Sequence, residues 1–168
     1  MAGVRRQSGD CLGRSGSGSA GREGTDGVRL GVLDDYIAFH LQLAQAAAFR
    51  SFKRHTGIGN LRAGWFTVLQ LIADNPGITP AAISRASGRD KSTITPVLQD
   101  LSRDALVVRE RNLTDRRSFG LNLTAKGRAS LAHLAACAAE QDAAIVAIVG
   151  EGRAELLAAL RRIVADLD

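Results

Sequence analysis

The segment from Ile78 to Leu123, ITPAAISRASGRDKSTITPVLQDLSRDALVVRERNLTDRRSFGLNL, limits the possible folds more than any other part of the chain. Thr79 followed by Pro80 sets a capping hydroxyl before a proline at the first helical position, and so starts a short helix. Ala81, Ala82, Ile83 and Ala86 keep that helix small-sided, and Gly88 supplies a turn. A second helix covers roughly Asp90 to Asp104, with Ile94, Val97, Leu98 and Leu101 recurring at helical spacing on its inward face. Ala105 to Arg111 reads as a strand centred on Leu106-Val107-Val108, and Asn112 to Asp115 as a tip. Arg116 or Arg117 to Leu123 is the return strand, with Phe119, Leu121 and Leu123 alternating inward. Two helices about a tight turn, then a hairpin, make a helix-turn-helix with a β "wing", a shape that grips duplex DNA.

The residues left outside suit that use. Lys91, Ser92, Thr93, Thr95 and Gln99 lie off the apolar stripe of the second helix, mostly near its start. Short polar side chains there reach base edges or phosphates without holding the helix out of the groove. The helix N-terminus itself favours phosphate, although Asp90, Ser92 and Thr93 serve equally well as caps. Pro96 is awkward, since a proline in a helix interior costs about 3 kcal/mol. A helix starting at Ser92 or Thr93 would place it in the first turn, where the cost shrinks. Arg109, Arg111, Arg116 and Arg117 crowd the hairpin. An arginine at a wing tip fits the narrow minor groove, and Asp115 is a natural partner for one of them. The plainer alternative is an ordinary charged hairpin. Charge is segregated in the same sense: residues 75–128 hold ten Lys/Arg against five Asp/Glu, and residues 129–168 hold three against six.

The flanks read as support for this piece. Residues 1–30 contain eight of the eighteen glycines and too little apolar surface to offset their ordering entropy. They are expected to be a disordered Gly/Ser-rich basic tail. The alternatives are a basic arm laid along phosphate and a start placed upstream of the true one. Leu33 to about Thr56 reads as a long helix, with Leu33, Tyr36/Ile37, Leu41, Ala44, Ala47/Ala48 and Phe52 on one face. Phe39, Leu43 and Phe49 form a second apolar face, which calls for cover from a partner subunit. Leu61 to Ala73 reads as the next helix, stopped by Asn75-Pro76-Gly77. Trp65, the only tryptophan, is either core or the wall of a pocket for a flat ligand. Thr124 caps a helix running to about Val149, Gly150-Glu151-Gly152 breaks it, and Arg153 to Leu167 is the last helix. These two terminal helices carry more apolar surface than one winged domain uses, and pairing of two chains accounts for the surplus.

Several classes are set aside. Cys11 and Cys137 are far apart, and no clustered Cys/His spacing points to a metal, so no cofactor is expected. Reduced cysteines fit the cytoplasm, and no apolar run reaches a membrane span. The N-terminal stretch lacks the apolar core of a secretory signal. No phosphate-cradling glycine loop and no nucleophile–base pair suggests an enzyme.

DKSTITPVLQDL (90–101) resembles the recognition helix of the MarR family of transcriptional regulators, and TDRRSFGLNLTAKGR (114–128) resembles its wing and the start of the following helix. The resemblance spans about residues 33–167. This chain has Pro96 where many members carry a basic residue. The implied fold is mainly α with a small β-hairpin wing. In it a winged helix-turn-helix at about 61–123 is flanked by dimerisation helices at about 33–56 and 125–167, within a domain covering 31–168. The implied function is sequence-specific DNA binding by a homodimer at pseudo-palindromic sites, usually as a repressor of nearby genes. Lys91, Ser92, Thr93, Thr95 and Gln99 would enter the major groove, and Arg109, Arg111, Arg116 and Arg117 would serve the wing. Many members release DNA when a small aromatic or acidic compound enters a crevice. His40, Arg50, His55, Arg62 and Trp65 are the candidate lining here, cations with an aromatic wall. An effector-independent or architectural DNA-binding protein is the alternative. Other members sense oxidation with a cysteine on the first helix, which this chain lacks, so Cys137 is expected to be a small buried hydrophobe.

Overall fold

A computed structural model describes residues 27–111 and 119–167. The chain divides into two compact units, one ending at Leu43 and one running from Ala44. In the first unit a 3-10 turn at Gly31–Asp35 precedes helix α1, which spans Ile37–Thr56 and continues into the second unit. Then follow α2 (Trp65–Asp74), α3 (Pro80–Ser87), α4 (Lys91–Arg103), β1 (Val107–Arg111), β2 (Phe119–Leu123), α5 (Ala125–Val149), a 3-10 turn at Gly150–Gly152, and α6 (Arg153–Leu167). The order is the expected helix-turn-helix and wing between longer helices.

Two expected helix starts move. Tyr36 takes an extended conformation (φ −93°, ψ 117°), so α1 begins at Ile37 and not at Leu33. Residues 61–62 are irregular and 63–64 form a turn, so α2 begins at Trp65. Leu61 is nevertheless buried, because an apolar side chain serves the core equally well from a loop. The core of the second unit gathers Phe52, Leu61, Trp65, Val68, Leu69 and Ile72 with Ile83, Ile94, Val97, Leu98 and Leu101, and is closed by Leu106, Val107, Leu121, Leu134 and Cys137.

The two helices of the helix-turn-helix end on the same local device. Thr79 accepts a hydrogen bond from Ala82 N at the start of α3. At its end Arg89 N donates to Ser84 O and Gly88 N to Arg85 O, with Gly88 left-handed at φ 61°. The end of α4 repeats the pattern, with Leu106 N donating to Leu101 O and Ala105 N to Ser102 O. Here the left-handed residue is Ala105 at φ 55°, a conformation that costs about 1–2 kcal/mol without glycine. Leu101 and Leu106, the apolar pair that accompanies this cap, are both buried and help to hold it. The turn also explains why β1 starts at Val107 and not at Ala105.

The two strands are antiparallel, with Val107 opposite Leu123 and Arg111 opposite Phe119. Of the three residues expected to face inward, Leu121 is fully buried and Leu123 is packed against the core, but Phe119 is exposed. Alternation places all three on one face; Phe119 stands at the distal end of the paired segment, beyond the helices that cover Leu121. Leu121 also bridges to Ile78, with Leu121 N donating to Ile78 O and Gly77 N to Leu121 O, both at 3.0 Å. Gly120 lies so close that a Cβ there would stand 2.7 Å from Gly77 O. Asn122 completes the joint by accepting from Gly77 N at 2.9 Å and donating to Glu110 at 2.7 Å. The root of the hairpin is thus fixed to the turn that precedes α3.

The TAKG sequence after β2 acquires a physical role. The Thr124 hydroxyl accepts from Gly127 N and donates to Ala105 O at 2.8 Å. Lys126 Nζ donates to Asp104 O at 2.8 Å, covering a carbonyl at the end of α4. Gly127 brings α5 against Leu106 with no room for a side chain.

Candidate nucleic-acid interface

The start of α4 is built by Asp90. Its carboxylate accepts from Thr93 N and from the Ser92 hydroxyl, both at 2.7 Å. These bonds, that of Ser92 first and then those of Thr93, hold the Asp90 carboxyl below the usual carboxylate range. The cap fixes the first helical residue as Lys91, within the expected span from about Asp90, so Pro96 falls in the second turn and the later start at Ser92 or Thr93 is not taken. Its missing N–H leaves the Ser92 carbonyl without its helical donor. Ile94, Val97, Leu98 and Leu101 are buried, and Lys91, Ser92, Thr93, Thr95 and Gln99 are all exposed. The Thr95 hydroxyl donates to Lys91 O at 2.7 Å, so like Ser92 it presents its lone pairs outward. One side of α4 therefore offers an ammonium, two oriented hydroxyl acceptors and an amide over about two turns.

On the hairpin, Arg109 is exposed on β1 beside Leu121, and Arg111 ends the strand. Arg116, Arg117, Asp115 and the expected tip Asn112–Asp115 lie outside the described residues, as do Cys11 and the segment 1–26.

The five residues expected to line a ligand pocket are not brought together as one set. His40 belongs to the first unit, where its Nε2 is 2.7 Å from Asp34 O. Arg50 edges a shallow depression with Lys53, Arg54 and Gly57. His55 is exposed, with Nδ1 bonded to Ser51 O. Trp65 is core, and its indole N–H has no partner among the described residues. Only Arg62 lines a cavity of about 270 Å³, whose other walls are Gln45, Ala48, Phe49, Phe52, Ala63, Gly64, Phe66, Thr67, Arg89, Ala138 and Gln141. Gln141 is held there by a hydrogen bond to Ala48 O. The Arg89 guanidinium lies against Gly64, 3.6 Å from the place of a Cβ. Arg62 is paired with Asp100 of α4, which Arg103 also binds at 2.9 Å. Arg89, Gln141 and Asp100 escape sequence reasoning because their partners are remote in the chain. The one trace is Asp100 itself, an acid among the apolar positions of α4.

Cys137 is buried as a small hydrophobe, with Sγ 3.6 Å from His55 O. No helix among the described residues is long and apolar enough to cross a membrane.

A short polar-faced helix set across a tight turn, with an antiparallel hairpin fixed behind it, defines a winged helix-turn-helix DNA-binding protein. The MarR family profile matches residues 59–118. A putative transcriptional regulatory protein for the hcr operon of Thauera aromatica is 34% identical over 135 residues, 79% of this chain and 81% of that protein. The transcriptional repressor CouR bound to a 23-mer DNA duplex superposes with a TM-score of 0.70 at 29% identity, covering 82% of this chain and 98% of CouR. CouR bound to p-coumaroyl-CoA gives 0.71 at 27% identity, covering 82% and 97%. The chain belongs to the MarR family, and is a DNA-binding transcriptional regulator and not an enzyme.

Proposed function

We propose that the protein is a cytoplasmic homodimeric repressor, released from a pseudo-palindromic operator near the genes it controls by a small aromatic anion. The observation that carries this reading is the cavity lined by Arg62 and Arg89. Phe49, Phe52 and Phe66 give it aromatic walls, and Arg62 and Arg89 give it cationic ones. A volume of about 270 Å³ suits a single-ring compound, near the lower end of ligand pockets in general. That CouR has been seen with p-coumaroyl-CoA supports an aromatic acid or its CoA thioester as the ligand class.

On this reading Lys91, Ser92, Thr93, Thr95 and Gln99 read the major groove, and Arg109, Arg111, Arg116 and Arg117 serve the wing. Two such heads about 34–36 Å apart match successive major grooves on one side of the duplex. The N-terminal helices and α5 with α6 form the dimer, residues 31–168 making one MarR-type domain and residues 1–30 a tail. The apolar side chains left uncovered within α5 and α6 support that pairing. A ligand that prefers another spacing of the heads shifts the population away from DNA.

The test is a titration of the protein–operator complex with aromatic carboxylates and their CoA thioesters, read by fluorescence anisotropy. Release at concentrations that saturate the free protein is expected. Binding of operator that no such compound weakens would favour the effector-independent reading. In the same assay Arg117→Ala should weaken binding and make the log–log salt slope shallower by about one. An unchanged slope removes Arg117 from the contacts.

A further inference from the structure

Arg62 faces two ways. It lines the cavity, and its guanidinium also binds Asp100 of α4. Asp100 is 5% exposed, whereas the Arg62 and Arg103 side chains that reach it are 56% and 65% exposed. A carboxylate is held in such a place only while its partners cover it. Arg103 belongs to α4 itself and moves with it. Arg62 does not: it stands in the segment before α2, so its bond to Asp100 ties α4 to the wall of the cavity.

We propose that Arg62 is shared between the cavity ligand and Asp100, and is the positioning residue through which ligand occupancy reaches the DNA-reading helix. This rests on the reading of the cavity as the site of a small aromatic anion. An anionic or carbonyl oxygen of the ligand offers Arg62 a second acceptor. When the guanidinium turns to it, Asp100 keeps only Arg103, and α4 loses its tie to the segment before α2. Linkage makes the effect reciprocal: what the Arg62–Asp100 bond adds to DNA affinity is subtracted from ligand affinity in the DNA-bound state.

Asp100→Asn tests this, because it keeps the shape of the side chain and removes the charge that competes for Arg62. The probes are 4-hydroxybenzoate and p-coumaroyl-CoA, their binding followed by calorimetry and by the fluorescence of Trp65, the only tryptophan and the neighbour of cavity-lining Gly64. Operator affinity is measured by anisotropy with and without saturating probe. In the wild type the probe should weaken operator binding about 10- to 100-fold, the usual range of allosteric coupling. Asp100→Asn should bind the probe several-fold more tightly, bind operator more weakly without it, and lose most of the probe's effect. Arg62→Lys, which keeps the charge without the planar fork, is the second variant should Asp100→Asn fold poorly. It should bind probe more weakly and show a blunted release. If the probes bind and both folded variants release operator by the wild-type factor, the sharing is overturned while the cavity reading stands. If neither probe binds the wild type, the cavity reading falls and the sharing with it.

Discussion

Gly127→Ala should lower the thermal midpoint by roughly 6–12 °C, corresponding to about 3 kcal/mol in a chain of this size. A Cβ at this position would stand 2.0 Å from the Leu106 carbonyl oxygen and 3.0 Å from its carbon, both backbone atoms. Alanine gains at most about 1 kcal/mol over glycine in helix propensity, which does not offset such an overlap. Relief requires α5 to retreat from β1. That movement strains the bonds from Thr124 N and the Thr124 hydroxyl to Leu106 O, at 3.1 and 3.3 Å, and the Lys126 bond to Asp104 O. Gly59→Ala is the control, because a Cβ there meets nothing within 4 Å and the φ is ordinary. Its midpoint should stay within a degree or two, as surface changes of about 0.5 kcal/mol do. Equal melting of the two variants in a thermal scan would show that the junction of β1 and α5 yields at little expense.

The second large effect is expected from Ile148→Glu combined with Val164→Glu. Ile148 on α5 is 86% exposed and Val164 on α6 is 63% exposed, so neither holds the chain's own core. Covering such a side chain in a dimer contributes about 1.5–3 kcal/mol, and a carboxylate there reverses the sign. Sedimentation should show monomers at micromolar concentration. Affinity for a two-half-site operator should fall about 100-fold or more, since the second head no longer binds from a tethered position. A double variant that stays dimeric and binds as the wild type does would place the pairing surface elsewhere.

Both expectations depend on features that differ in how far the sequence discloses them. The helix-turn-helix was legible because its signals are local. Thr79-Pro80, Gly88 and the stripe Ile94, Val97, Leu98 and Leu101 each act within one or two turns of chain. Element starts were less legible, because apolar spacing runs on through Leu61 and Leu33 although the backbone there is not α-helical. Pro96 left the start of α4 open between Asp90 and Thr93. The cost of a proline argues for a later helix start, yet the Asp90 carboxylate caps Thr93 N and sets the start at Lys91. The cavity was the least legible feature. Its charged wall pairs Arg62 with an acid on α4 and sets Arg89 against Gly64 across the turn, relations that no periodicity records. An aromatic and cationic lining was expected, but its aromatic wall is Phe49, Phe52 and Phe66, while Trp65 closes the core.

The joint at Gly77, Ile78 and Leu121 limits how a reading head of this kind can respond. Backbone bonds and the Asn122 amide weld the hairpin root to the entrance of α3, and the Gly77–Gly120 approach leaves no slack for sliding. The hairpin root and the entrance of α3 then move as one piece. On the dimeric, ligand-released reading proposed above, a ligand would then tilt or separate whole heads and change the groove spacing they span, with little means of shifting the hairpin root while α3 keeps its place.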